Sequence, residues 1–183
     1  MQDKNIIMKA KQFALEAHKE RTRLSIWGFE RPQAHHLQEV ADLVWASGGS
    51  DIEVAAAWLH DTVEDTPTTI DDIKDMFGNE IAEIVDGLTD KDDIKDLPNI
   101  ERKPIQAERI KTKSNSIKRI KISDQTSNMR GMRNDPKANW DLDLRTDYTR
   151  GAKLIADQCK GISSTLDTLF DEEYKKSAEF FGL

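Results

Sequence analysis

Residues 59–66 read Leu59-His60-Asp61-Thr62-Val63-Glu64-Asp65-Thr66, with one imidazole and three carboxylates inside six positions. Such a group can coordinate a divalent cation or move protons at a reacting centre. Carboxylates held close together repel one another unless a cation neutralises them. At helical spacing His60 and Glu64 share one face, and Asp61 and Asp65 share the next. The plainer alternative is a helix end rich in solvated acids. The preceding stretch, Asp51-Ile52-Glu53-Val54-Ala55-Ala56-Ala57-Trp58-Leu59, speaks against it. That stretch is Ala-rich and apolar, and predicts a helix entering a core, with the acids at its end.

Other elements must bring partners to this group. Ile7, Ala10, Ala14, Ala17 and His18, with Phe13 beside them, predict a helix over about 4–22, and His18 can face the core or the site. Gly28 and Pro32 mark 24–32 as a loop. A second helix is expected from about Ala34, with Leu37, Val40, Ala41 and Val44 as its buried stripe. His36 stands one turn before Val40, where it can face inward to a metal. Gly48-Gly49-Ser50-Asp51 is a helix stop followed by a new N-cap. Beyond Pro67, Thr68 or Thr69 caps a short helix, and Ile81, Ile84, Val85 and Leu88 mark another.

Residues 90–104, with Pro98 and Pro104, predict an exposed loop in which Asp92 and Asp93 are solvated. Two helical patterns flank Ser114-Asn115-Ser116, and on the second Lys121, Asp124 and Asn128 share a face. A surface helix face would explain those three equally well. Gly131 and Pro136 predict a polar turn over 131–139. Two closing helices are expected, one with Tyr148, Ala152, Ile155, Ala156 and Cys159, the other with Ile162, Leu166, Leu169 and Phe170. No strand and no internal repeat is expected.

The chain of 183 residues suits one domain with a real core. A net charge of −7 argues against a nucleic-acid binder, which needs a basic surplus. The one cysteine, Cys159, excludes an internal disulfide and fits a reducing cytoplasm in a structural role. No apolar run approaches the roughly 20 residues of a membrane helix, and no signal-type segment follows Met1-Gln2-Asp3-Lys4.

Taken together, His36, His60-Asp61 and Asp124 form an H…HD…D pattern that resembles the HD superfamily of metal-dependent phosphohydrolases. The blocks around it resemble the hydrolase domain of the Rel/Spo alarmone enzymes and the stand-alone small alarmone hydrolases. They are 57–66, 69–73 with 77–89, 120–130 and, more weakly, Ala17-His18 with Arg23, Pro32 and 36–41. The matches span about 13–150, and C-terminal helices are expected over about 138–182. One all-α HD-domain helical bundle over 1–183 is therefore the expected architecture, without a synthetase or regulatory domain.

The resemblance implies His36, His60, Asp61 and Asp124 as metal ligands, with Mn²⁺ the expected ion. It implies Glu64 and Asp65 as the pair that positions and activates water. Arg23, Lys121, Asn128 and Tyr148 become substrate contacts. The implied reaction is removal of the 3′-pyrophosphate of guanosine 3′,5′-bis(diphosphate), by a cytoplasmic protein whose partner is a small nucleotide rather than nucleic acid or membrane. A homo-oligomer stays open. Two departures bear on guanine selectivity. Gln125 stands where the family usually has arginine, and Phe29-Glu30-Arg31-Pro32-Gln33 replaces its Gly-x-Pro-Tyr. The rival readings are an HD phosphatase for another small nucleotide and a non-catalytic nucleotide-binding HD module.

Overall fold

The computed structural model describes residues 4–183. Residues 1–3, included in the expected domain, lie outside the described residues. The chain divides into two compact units, Met1–Thr22 with Pro32–Asp90, and Arg23–Arg31 with Lys91–Leu183.

The first unit is built round α3 (Asp51–Leu59), which packs against α1 (Lys4–Ala17), α2 (Ala34–Ala46) and α6 (Asn79–Leu88). Residues 53–59 are buried without a break, because neighbours cover this helix on several sides. Ser50 and Glu53 close a capping box at its start, an arrangement worth about 1 kcal/mol. Thr69 and Asp72 repeat the device on α5 (Ile70–Phe77). The expected helix through 59–66 is interrupted. His60 is the C-cap of α3, Asp61 is the N-cap of α4 (Thr62–Asp65), and the chain turns between them.

In the second unit α7 (Asn99–Ile110) packs on α9 (Leu142–Asp157), and α8 (Asn115–Asn134) on α9 and α10 (Ser164–Phe181). Three expectations need correction here. The loop over 24–32 carries a hairpin, β1 (Thr22–Leu24) with β2 (Glu30–Pro32), around Gly28 at φ +81°. Its turn is tied down where Ile26 N–H donates to Pro136 O at 3.0 Å and Ala138 N–H to Leu24 O at 2.8 Å. The exposed loop ends at Pro98, and Pro104 lies inside α7. Proline removes one helical hydrogen bond there, but Lys103, Ala107 and Ile110 are buried along the same helix and packing prevails. Gly131 lies within α8, which runs on to Asn134 because Met129 and Met132 are buried on either side of it. Asp92 and Asp93 are exposed, as expected, and pair with Lys95 and Arg109. Among the described residues no helix is long and apolar enough to cross a membrane.

Candidate metal and nucleotide site

Each unit gathers part of the chemistry. In the first, His60 sits where α3 ends, 4% exposed, and its Nδ1 lies 2.7 Å from Ala57 O. A carbonyl only accepts, so Nδ1 carries the proton and Nε2 presents its lone pair. That Nε2 lies 3.3 Å from Nε2 of His36, which the first turn of α2 supplies. Asp61 completes the group, with Oδ1 3.2 Å from His60 Nε2 and Oδ2 3.6 Å from His36 Nε2. Gln33, the N-cap residue of α2, donates from Nε2 to Asp61 Oδ2 at 2.9 Å and orients the carboxylate. Two imidazole nitrogens and a carboxylate converging in a largely buried spot are a donor set that fits a divalent cation.

The acidic pair follows on α4. Glu64 is exposed and its Oε1 accepts from Asp90 N–H at 2.6 Å. Asp65 is half-buried, and Arg21 donates to both its backbone O and its Oδ1, each at 2.6 Å. Its Oδ2 faces His18 Nε2 at 4.0 Å. His18 is buried, with Nδ1 fixed at 2.9 Å from Ala14 O. Its side chain is thus a core histidine that also backs the site.

In the second unit the centre is Asp124, 7% exposed on α8. Asn128 Nδ2 donates to its Oδ1 at 2.5 Å, Gln125 Nε2 donates to its Oδ2 at 2.7 Å, and Lys121 Nζ stands 3.6 Å from Oδ2. Lys103 Nζ donates to Gln125 Oε1 at 2.7 Å and lies 3.7 Å from the centroid of the Tyr148 ring. A carboxylate so thoroughly hydrogen-bonded is not the solvated helix face that the spacing alone allowed.

Residues 10–148 match the family model described as "HD domain". The chain belongs to the HD-domain family. It is similar to the guanosine-3′,5′-bis(diphosphate) 3′-pyrophosphohydrolase MESH1 of Xenopus tropicalis, 33% identical over 94% of each chain. The human MESH1 is 30% identical over 93% of each. A solved structure of a metazoan ortholog of SpoT, described as hydrolysing ppGpp, superposes with a TM-score of 0.86 at 25% identity. It covers 96% of this chain and 97% of that one.

His36 lies on α2, the helix expected to carry it, whereas His60 and Asp61 fall at the junction of α3 and α4 rather than within one helix. Lys121 and Asn128 meet Asp124, and Tyr148 meets Lys103 rather than solvent. Arg23 lies on β1, and the arginine that grips Asp65 is Arg21, two residues earlier. Gln33 was legible in principle, because it stands one helical turn before His36. Lys103 was hidden by the proline beside it.

Proposed function

We propose that this HD-domain chain is a metal-dependent hydrolase that removes the 3′-pyrophosphate of guanosine 3′,5′-bis(diphosphate). The observation that carries the reading is the convergence of His36 Nε2, His60 Nε2 and the Asp61 carboxylate directly before Glu64-Asp65. Identity of about a third to a pyrophosphohydrolase along nearly the whole chain supports the same reading.

His36, His60 and Asp61 are proposed to hold the ion, with Asp124 as the fourth ligand of the H…HD…D pattern. Mn²⁺ is the proposed ion, since nitrogen and carboxylate donors with room for phosphate oxygens suit it. The bound ion would supply a Lewis acid toward phosphoryl oxygen and lower the pKa of a nearby water.

This chain's own residues supply the remaining steps. Glu64, exposed at the surface of α4, takes the proton of the attacking water, and Asp65, clamped by Arg21, orients that water. Water adds to the phosphorus bonded to the ribose 3′ oxygen, that P–O bond breaks, and the proton ends on the 3′ oxygen. Pyrophosphate and guanosine 5′-diphosphate are the products. Lys121 stabilises phosphate charge, and Arg23, Asn128 and Tyr148 complete the nucleotide contacts. A small nucleotide is thereby the partner, in a cytoplasmic setting, and nothing in the reaction calls for a second copy of the chain. An HD phosphatase for another nucleotide would share the ligands, and products separate the two. Mn²⁺-dependent release of pyrophosphate, rather than orthophosphate, from the tetraphosphate tests the reading.

A further inference from the structure

Lys103 is 3% exposed, unusual burial for an ammonium group. Its donor role is fixed by chemistry. An ammonium only donates and a carboxylate only accepts, so Gln125 between them is held with Oε1 toward Lys103 and Nε2 toward Asp124. The result is an oriented relay, Lys103 to Gln125 to Asp124 Oδ2, with each bond 2.7 Å. Such chains polarise their members in a low-dielectric interior.

Helix α9 is shaped to seat this lysine. Tyr148 offers its ring face to the ammonium at 3.7 Å. One turn further on, Gly151 leaves the space in which the lysine stem lies. A Cβ at 151 would stand 2.5 Å from Lys103 Cβ and 2.6 Å from its Cγ. Helix packing alone would be met at lower cost by an unbranched apolar side chain, since burying a charge is expensive.

We propose that Lys103 is a positioning residue that acts on Asp124 through Gln125, and that Tyr148 and Gly151 exist in part to hold it. The relay fixes the Asp124 carboxylate and supplies, from another helix, positive charge behind position 125. Its consequence for a bound ion rests on the reading of Asp124 as a ligand given above.

The test uses the full chain and Mn²⁺ alone, with affinity read by calorimetry beside a thermal melt. Lys103→Met fills the same channel but cannot donate. It should bind Mn²⁺ some 10- to 100-fold more weakly, the usual cost of losing a hydrogen-bond partner of a ligand. Gln125→Met, which leaves Lys103 in place, should lose a similar factor and decides the matter if Lys103→Met does not fold. Gln125→Arg added to Lys103→Met restores a cationic donor beside Asp124 and should recover most of the affinity. A lysine of merely structural value would move the melt without this rescue. Equal Mn²⁺ affinity in wild type, Lys103→Met and Gln125→Met overturns the relay. Wild type that binds no Mn²⁺ overturns the metal reading itself, and the relay's proposed purpose with it.

Discussion

Arg21 holds Asp65 at two points, its guanidinium donating to the backbone carbonyl and to Oδ1, each at 2.6 Å. The contact spans 44 residues of sequence and joins the segment after α1 to the end of α4. It fixes the rotamer of a carboxylate that has His18 Nε2 on its other side at 4.0 Å. Arg21→Ala should therefore lower kcat by about tenfold or more with little change in Mn²⁺ affinity, because a misplaced water-orienting group costs rate, not metal. Steady-state kinetics with a parallel metal titration checks it. Arg23→Ala should act mainly on KM.

Glu64 accepts from Asp90 N–H through one oxygen and is exposed to solvent on α4. Glu64→Gln preserves shape and can still accept that bond through its amide oxygen. It should keep Mn²⁺ binding and lose turnover by about 10²- to 10⁴-fold, the usual range for a general base. Full activity in Glu64→Gln combined with Asp65→Asn would remove both residues from the chemistry.

How much of this was written in the sequence varies by element. The buried helix before His60, its Ser50 cap and the stripe with His36 follow from apolar period and cap residues, and the structure has them. The break between His60 and Asp61 was not legible. No Gly or Pro marks it, and the turn depends on tertiary contacts such as Gln33 to Asp61. Pro104 and Gly131 misled for the opposite reason, since each is a local breaker overruled by packing of its helix. The Arg21–Asp65 contact carries no signal in the sequence, because nothing local says that an arginine reaches a carboxylate 44 positions away.

Glu173 on α10 ties that helix to α8. Burial pushes its carboxyl up, but hydrogen bonds from Arg133 and Lys176 and the charges of Arg130 and Arg133 outweigh burial and hold it below the ordinary 4.5. A carboxyl lowered on folding stabilises the native state above the ordinary value, and loses that contribution as pH falls through the folded value. Glu173→Gln should therefore be less stable than wild type at pH 7. The gap should narrow once pH drops below about 4.5. Urea melts of both proteins at several pH values read this directly, and a gap independent of pH would contradict it.

Cys159 lies in the interior after α9, and burial, only partly opposed by the charges of Lys121 and Lys118, pushes its thiol up to about 12. The thiolate is the reactive form, so the native protein should resist alkylation at neutral pH and react stoichiometrically in denaturant. Mass spectrometry after iodoacetamide treatment measures both states, and rapid labelling of the folded protein would contradict the interior placement.

The most direct test of the whole account is product analysis of guanosine 3′,5′-bis(diphosphate) incubated with Mn²⁺ and either wild type or Asp61→Ala. Wild type should release pyrophosphate and guanosine 5′-diphosphate, and the variant should release neither and bind no Mn²⁺. Pyrophosphate release that persists in Asp61→Ala, or a Mn²⁺-loaded wild type that leaves the nucleotide intact, would contradict it.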